Sequence, residues 1–210
     1  MVIGMPEPAA DADLSRRPPP RLAVLLSGGG TTMVNLARRI DDGSLAAEIG
    51  LVIASNDHAG GIDRARSLDL PVQIVPRKAY DSPAEFSDVV FGLVRDAGCD
   101  LVCLAGFLSL LVIPDDFAGR VLNIHPSLLP KFGGKGMHGR HVHEAVLAAG
   151  EAESGCTVHL ADNSYDTGPV ILQRRCAVQP GDTAESLAAR VFELECEAYP
   201  EAIRRLSMDR

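Results

Sequence analysis

The chain has no tryptophan, and only 4% of its 210 residues are aromatic. Its core must therefore be built from Leu, Val, Ile and Ala, for which a hydrophobic content of 46% is ample. Basic residues are outnumbered, 20 Lys and Arg against 28 Asp and Glu, giving a formal net charge of -8. That balance excludes a broad nucleic-acid surface, since phosphate backbones select basic faces. Small anions can still be held by local donors. The cysteines, Cys99, Cys103, Cys156, Cys176 and Cys196, are odd in number and scattered, so they give no disulfide framework. They read as free thiols of a reducing cytosol. No apolar run approaches the ~20 residues of a membrane span. The first twenty residues carry three acids, two arginines and a triple proline, and lack the apolar heart of a signal peptide. They are expected to form a flexible leader (1–20) before one cytoplasmic domain (21–210).

Against these absences stands a regular rhythm of strands and helices. Leu22 to Leu26 is a continuous apolar run, the pattern of a strand covered on both faces. Ser27-Gly28-Gly29-Gly30-Thr31-Thr32 follows, and a helical pattern runs from about Met33 to Ile40. Further apolar runs lie at Ile49–Ala54, Val72–Val75, Leu101–Leu104 and Val121–Ile124. Helical stretches fall between them, around Asp63–Leu68 and Ala84–Ala97. The alternation predicts an α/β fold with a mostly parallel central sheet and helices on both faces. Pro130 to Arg140 carries glycines at 133, 134, 136 and 139 and reads as a mobile loop before a helix over His143–Ala149. Cys156–Leu160 and Val170–Val178 read as an antiparallel pair, so the C-terminal portion of the sheet is expected to reverse. A last helix is expected to start at Asp182 or Thr183, with Glu185 completing a capping box. Leu187, Val191 and Leu194 form its buried stripe, and Pro200 is expected to kink or interrupt it.

Three places carry chemistry. The turn Ser27 to Thr32 presents backbone N–H groups at a helix N-terminus, where geometry and dipole both favour a phosphate. No Gly-Lys-Ser/Thr follows it, so it is not a P-loop, and the third glycine of a dinucleotide fingerprint is missing. A plain tight turn is the competing reading. The second place is Asn123-Ile124-His125-Pro126-Ser127-Leu128-Leu129-Pro130. Alternation along a strand sends the side chains of Asn123 and His125 the same way. Pro126 then ends the ladder. An imidazole that moves protons near neutral pH, beside an amide that can hold an oxyanion, suits acyl transfer. The third is Asp166, in Ser164-Tyr165-Asp166-Thr167-Gly168-Pro169, which by itself reads as a turn carboxylate. His138, His141 and His143 lack a metal-ligand spacing and read as loop and substrate-side residues, and no metal is expected.

The Asn123–Pro130 string resembles the signature of the folate-dependent formyltransferases, and the similarity extends over about Arg21 to Leu206. Asp166-Thr167-Gly168-Pro169-Val170-Ile171 is similar to a family loop whose Asp faces the catalytic His. The resemblance implies a Rossmann-like formyltransferase fold and a catalytic set of Asn123, His125 and Asp166, with Asp162 as the rival carboxylate. The length fits the glycinamide ribonucleotide branch, since other branches usually carry an extra domain. That branch transfers a formyl group from the co-substrate 10-formyltetrahydrofolate to the amine of 5'-phosphoribosylglycinamide in purine biosynthesis. Gly30, Thr31 and Thr32 match its phosphate turn, with Thr32 in place of the usual Asn. Leu104-Ala105-Gly106-Phe107-Leu108 resembles its folate segment, so Leu108, Ser109 and Leu111, together with Asn123 and Asp166, are the candidate folate contacts. Pro83 and Ser109 stand where arginines are often found, leaving Arg77, Lys78 or Lys135 for the folate glutamate.

Glu195 has the family's spacing from Tyr199-Pro200 and is the candidate contact to the glycinamide portion. Its neighbours Glu193 and Glu197 point about 200° away, because alternate positions of a helix cannot share a face. The expected partners are small molecules, without nucleic acid or membrane. A homodimer is the assembly considered. Hydrolysis of 10-formyltetrahydrofolate and a catalytically idle folate-binding module are the alternative functions.

Overall fold

A computed structural model describes residues 18–208. The expected leader lies almost wholly outside them. Seven strands form one sheet in the order β3-β2-β1-β4-β5-β6-β7. The strands are β1 (Arg21–Leu26), β2 (Glu48–Ala54), β3 (Val72–Ile74), β4 (Leu101–Leu104), β5 (Val121–His125), β6 (Glu153–Leu160) and β7 (Val170–Ala177). The first five run parallel, β6 pairs antiparallel with β5, and β7 pairs antiparallel with β6 and so returns to the direction of the first five. The helices are α1 (Thr31–Asp41), α2 (Gly61–Ser67), α3 (Pro83–Asp96), α4 (Arg140–Ala148) and α5 (Ala184–Met208).

Alternate residues of β1 feed opposite layers. Leu22, Val24 and Leu26 pack with residues of α1, α2, α4 and α5, whereas Ala23 and Leu25 pack with Phe86, Val90 and Phe91 of α3. Both faces are therefore covered, with α3 alone among the helices on the second. The strand order reverses between β1 and β4. In an open α/β sheet the crevice at the carboxyl ends of the strands beside such a reversal is where ligands bind. Three chain segments named above leave the sheet there: the glycine turn after β1, the Leu104–Leu108 segment after β4, and Asn123–His125 at the end of β5.

Two features of α5 differ from the sequence expectation. Its reciprocal cap is Thr183 with Ser186: Thr183 Oγ1 accepts the Ser186 N–H at 3.2 Å, and Ser186 Oγ accepts the Thr183 N–H at 3.0 Å. Asp182 instead binds Arg190, and Glu185 is turned toward Arg140. Pro200 neither interrupts nor ends the helix, which continues to Met208. Proline removes the N–H that would serve the carbonyl four residues earlier. That carbonyl belongs to Cys196, and the side chain of Asn35 on α1 donates to it at 3.0 Å. A donor from outside the helix replaces the missing one.

Tyr199, fully buried on the same turn, places its hydroxyl 3.0 Å from the carbonyls of both Leu104 and Leu122. It thus pins α5 to the ends of β4 and β5. Among the described residues, no helix is long and apolar enough to cross a membrane.

Candidate active site

A cavity of about 800 Å³ opens over the carboxyl ends of β4 and β5. His125 is almost fully buried at its wall, and each of its ring nitrogens has a definite partner. Nε2 lies 2.8 Å from the Phe132 carbonyl, which can only accept, so Nε2 carries the proton. Nδ1 is then the nitrogen available for chemistry, and it lies 3.5 Å from Asp166 Oδ2. Burial lowers the affinity of this imidazole for a second proton, more than the neighbouring carboxylate raises it. The free protein therefore holds a neutral His125 with a lone pair on Nδ1.

Asp166 is held by three donors or rings. Gly134 N–H donates to Oδ2 at 2.9 Å, Asn123 Nδ2 donates to Oδ1 at 3.1 Å, and His159 Nε2 lies 3.6 Å away. Burial works against its ionisation, but the surrounding polar groups, the Gly134 N–H among them, outweigh it and hold the carboxyl below the ordinary range. The residue itself sits at φ +58, a conformation that Asp tolerates better than most side chains.

Asn123 differs from the sequence expectation in one respect. Its amide nitrogen also lies 3.0 Å from Nε2 of His159, whose Nδ1 faces the Leu160 carbonyl at 2.8 Å. A proton on Nδ1 of His159 leaves Nε2 as an acceptor. Both N–H bonds of the Asn123 amide are then committed, one to Asp166 and one to His159. Turning the amide over would set its oxygen against the carboxylate. In the free protein the amide nitrogen is thus shared between Asp166 and His159.

His159 was not singled out from the sequence. Register places it opposite Asn123 across β5 and β6, so a strand pairing, rather than a motif, is the signal that finds it. The same holds for the Phe132 carbonyl and the Gly134 N–H. These two groups tie the start of the glycine-rich loop to His125 and Asp166.

The glycine turn lies at another side of the same cavity. Gly30 precedes α1 at φ +74, and a Cβ there would lie 2.8 Å from the Gly61 Cα, so both the conformation and the close approach require glycine. The helix has no side-chain cap and no acid in its first turn. Its first N–H groups and the positive end of its dipole are left for an anion. Thr32 is buried and lines the cavity, whereas Thr31 is exposed and, like Gly30, is not part of the lining. Ser27 joins this turn to the segment after β4: its Oγ accepts the Leu108 N–H at 2.9 Å and shares a proton with Ser55 Oγ at 2.6 Å.

Leu108, Ser109 and Leu111 also line the cavity. Of the three basic candidates, Lys135 lines it. Arg77 lies over the Phe86 ring and donates to the Tyr80 carbonyl, and Lys78 binds Asp57 beside a separate hollow. Of the histidine cluster, His138 and His141 meet edge to face at 5.9 Å. His138 and His143 line the cavity, while His141 is exposed beside Glu144. Asp162, the rival carboxylate, accepts from Thr167 Oγ1 and the Ser164 N–H, and so holds the loop that carries Asp166.

Glu195 is half-buried on the cavity side of α5, whereas Glu193 and Glu197 are exposed. Burial pushes its carboxyl up to about 7. No cation faces it among the described residues.

A doubly wound sheet with an imidazole–carboxylate pair and an open anion-accepting turn in one crevice defines a group-transfer enzyme. The sequence matches the formyl transferase family over residues 20–203. It is 38% identical to the chloroplastic phosphoribosylglycinamide formyltransferase of Arabidopsis thaliana, over 98% of this chain and 72% of that protein. It is also 38% identical to the trifunctional purine biosynthetic protein adenosine-3 of Drosophila pseudoobscura pseudoobscura, over 91% of this chain but only 14% of that much longer protein. The crystal structure of glycinamide ribonucleotide transformylase 1 from Symbiobacterium toebii superposes with a TM-score of 0.85 at 36% identity, covering 91% of this chain and 89% of that one. The chain belongs to the formyl transferase family, and within it to the phosphoribosylglycinamide formyltransferases.

Proposed function

We propose that the protein transfers the formyl group of 10-formyltetrahydrofolate to the amine of 5'-phosphoribosylglycinamide, a step of purine biosynthesis. The observation that carries this reading is the disposition of His125. One nitrogen is fixed as a donor to Phe132, and the other faces both Asp166 and a cavity large enough for two substrates.

The phosphate of the nucleotide is received by the first turn of α1 through Gly30, Thr31 and Thr32. Its amine end reaches Glu195, which accepts a proton from the ammonium form. The folate lies along Leu108, Ser109 and Leu111, with Lys135 toward its acidic end. The amine nitrogen attacks the formyl carbon, and the carbonyl π pair moves to oxygen. Asn123 Oδ1 accepts an N–H from the attacking amine and orients its lone pair. Nδ1 of His125 takes the proton released by that nitrogen, and Asp166 stabilises the imidazolium that results. When the tetrahedral adduct collapses, the bond to the folate nitrogen breaks and the same proton passes from Nδ1 to that nitrogen. The glycine-rich loop, tied at Phe132 and Gly134, excludes water from the adduct. The cytoplasm is the proposed compartment, consistent with five free thiols.

The test is a formyl-transfer assay with both substrates. Formylated phosphoribosylglycinamide and tetrahydrofolate should form in equal amounts and only when both substrates are present. Formate release without an amine acceptor would assign the protein to hydrolysis instead, and folate binding without turnover would make it a binding module.

A further inference from the structure

Asn35 lies in the middle of α1, exactly one helical step of three residues beyond Thr32, so the two side chains share one face of the helix. Thr32 turns to the cavity. Asn35 reaches across to α5 and donates to the Cys196 carbonyl at 3.0 Å, a contact between residues 161 apart in sequence. That carbonyl is open to an outside donor because Pro200 supplies none. Glu195, which lines the cavity, is the residue immediately before it.

A half-buried carbonyl that loses its regular helical partner is served here by the Asn35 side chain. The bond therefore fixes α5 against α1 at the level of Glu195. The same short stretch of α1 carries the anion-accepting turn at one end and this clamp at the other.

We infer that Asn35 is a positioning residue for Glu195: it sets the span between the phosphate-receiving turn and the amine-receiving carboxylate, and so the length of nucleotide the cavity accepts. The inference rests on the reading of Glu195 as the contact to the amine end. Asn35 itself touches neither substrate. Its loss frees the turn of α5 that bears Glu195, and this weakens use of the nucleotide without altering the folate contacts after β4.

The experiment is a set of steady-state measurements on Asn35→Ala, Glu195→Gln, the double variant, and Asn35→Ala combined with Pro200→Ala. Asn35→Ala should raise KM for phosphoribosylglycinamide roughly fivefold, the scale of one lost hydrogen bond, with folate KM and kcat near the wild-type values. In the Glu195→Gln background the same change should add little, because the group it positions is already gone. Pro200→Ala returns an N–H to the Cys196 carbonyl from within the helix but no link to α1, so the KM of Asn35→Ala should stay raised in the combined variant. A folded Asn35→Ala protein with unchanged nucleotide KM overturns the inference. So do effects of the two single variants that multiply in full, or full rescue by Pro200→Ala, which would trace the effect to an unserved carbonyl and not to the span between the helices. A silent Glu195→Gln variant overturns the reading of Glu195 itself, and the two failures are thereby told apart.

Discussion

Nδ1 of His125 lies 3.5 Å from Oδ2 of Asp166, while Nε2 of the same ring is committed to the Phe132 carbonyl at 2.8 Å. The ring has one free nitrogen, and it faces the carboxylate. His125→Asn should therefore lower kcat by about 10²–10⁴, the usual range for losing a general acid or base. Circular dichroism should show the fold intact. Asp166→Asn should be similarly damaging, because it removes the charge that balances an imidazolium. Asp162→Asn should be mild, since its contacts are to Thr167 and the Ser164 N–H. Kinetics in which Asp162→Asn is the worse of the two would reassign the carboxylate.

The uncapped start of α1 leads to opposite effects on stability and binding. An acid in the first turn of a helix usually stabilises it by about 0.3–1 kcal/mol. Thr31→Asp should accordingly raise Tm slightly. The same charge should repel the substrate phosphate and raise KM for phosphoribosylglycinamide strongly, with little change in folate Kd. A calorimetric scan and a KM measurement on one variant check both halves. An unchanged KM would make the turn merely structural.

Glu195→Gln should weaken phosphoribosylglycinamide use more than Glu193→Gln or Glu197→Gln, whose side chains face solvent. Equal, small effects from all three would return Glu195 to a solvated role.

Stability should follow the same carboxyl. Glu195 keeps its proton up to about pH 7 in the folded protein, against an ordinary value of 4.5. Its contribution to stability is present below 4.5 and is lost as pH rises through about 7. The Gln variant stays neutral throughout. Its Tm relative to wild type should therefore rise between pH 5 and pH 8, by an amount on the order of 2 kcal/mol in stability. A Tm difference that does not move with pH contradicts this. Cys156, Cys196 and Tyr199 surround the carboxyl, and their own thiols and phenol are pushed up by burial, so they stay neutral over this range.

Lys135 lines the cavity beside the folate segment, whereas Lys78 is held by Asp57 at a separate hollow. Lys135→Ala should raise KM for a folate that carries glutamate, and Lys78→Ala should not. Binding of the two variants to a folate lacking its glutamate gives the control, since it should be equal for both.

Much of this architecture was legible from the chain. Buried runs such as Leu22–Leu26 announce parallel strands, because both of their faces must be covered. The pairing of Asn123 with His125 follows from alternation on one strand. What stayed hidden depends on contacts between distant segments. His159 meets Asn123 only once β6 has folded back along β5. The Phe132 carbonyl and the Gly134 N–H have no side-chain signature at all. The orientation of the Asn123 amide is decided by Asp166 and His159 and not by its own strand. Pro200 misled for the same reason: a local rule ends a helix at proline, and a residue on another helix supplied the bond that kept it whole.

The dependence of Pro200 on Asn35 also orders the routes by which this sequence can change. If position 35 loses its amide first, the Cys196 carbonyl stands without a donor, and the intermediate carries a defect beside the cavity. If position 200 first becomes a residue with an N–H, the carbonyl is served from within its own helix and position 35 is released from constraint. One order passes through a sound protein and the other does not. A library that randomises position 35 alone and is scored on stability would therefore judge it intolerant, one at position 200 would accept residues that carry an N–H, and position 35 would become permissive only in that second background.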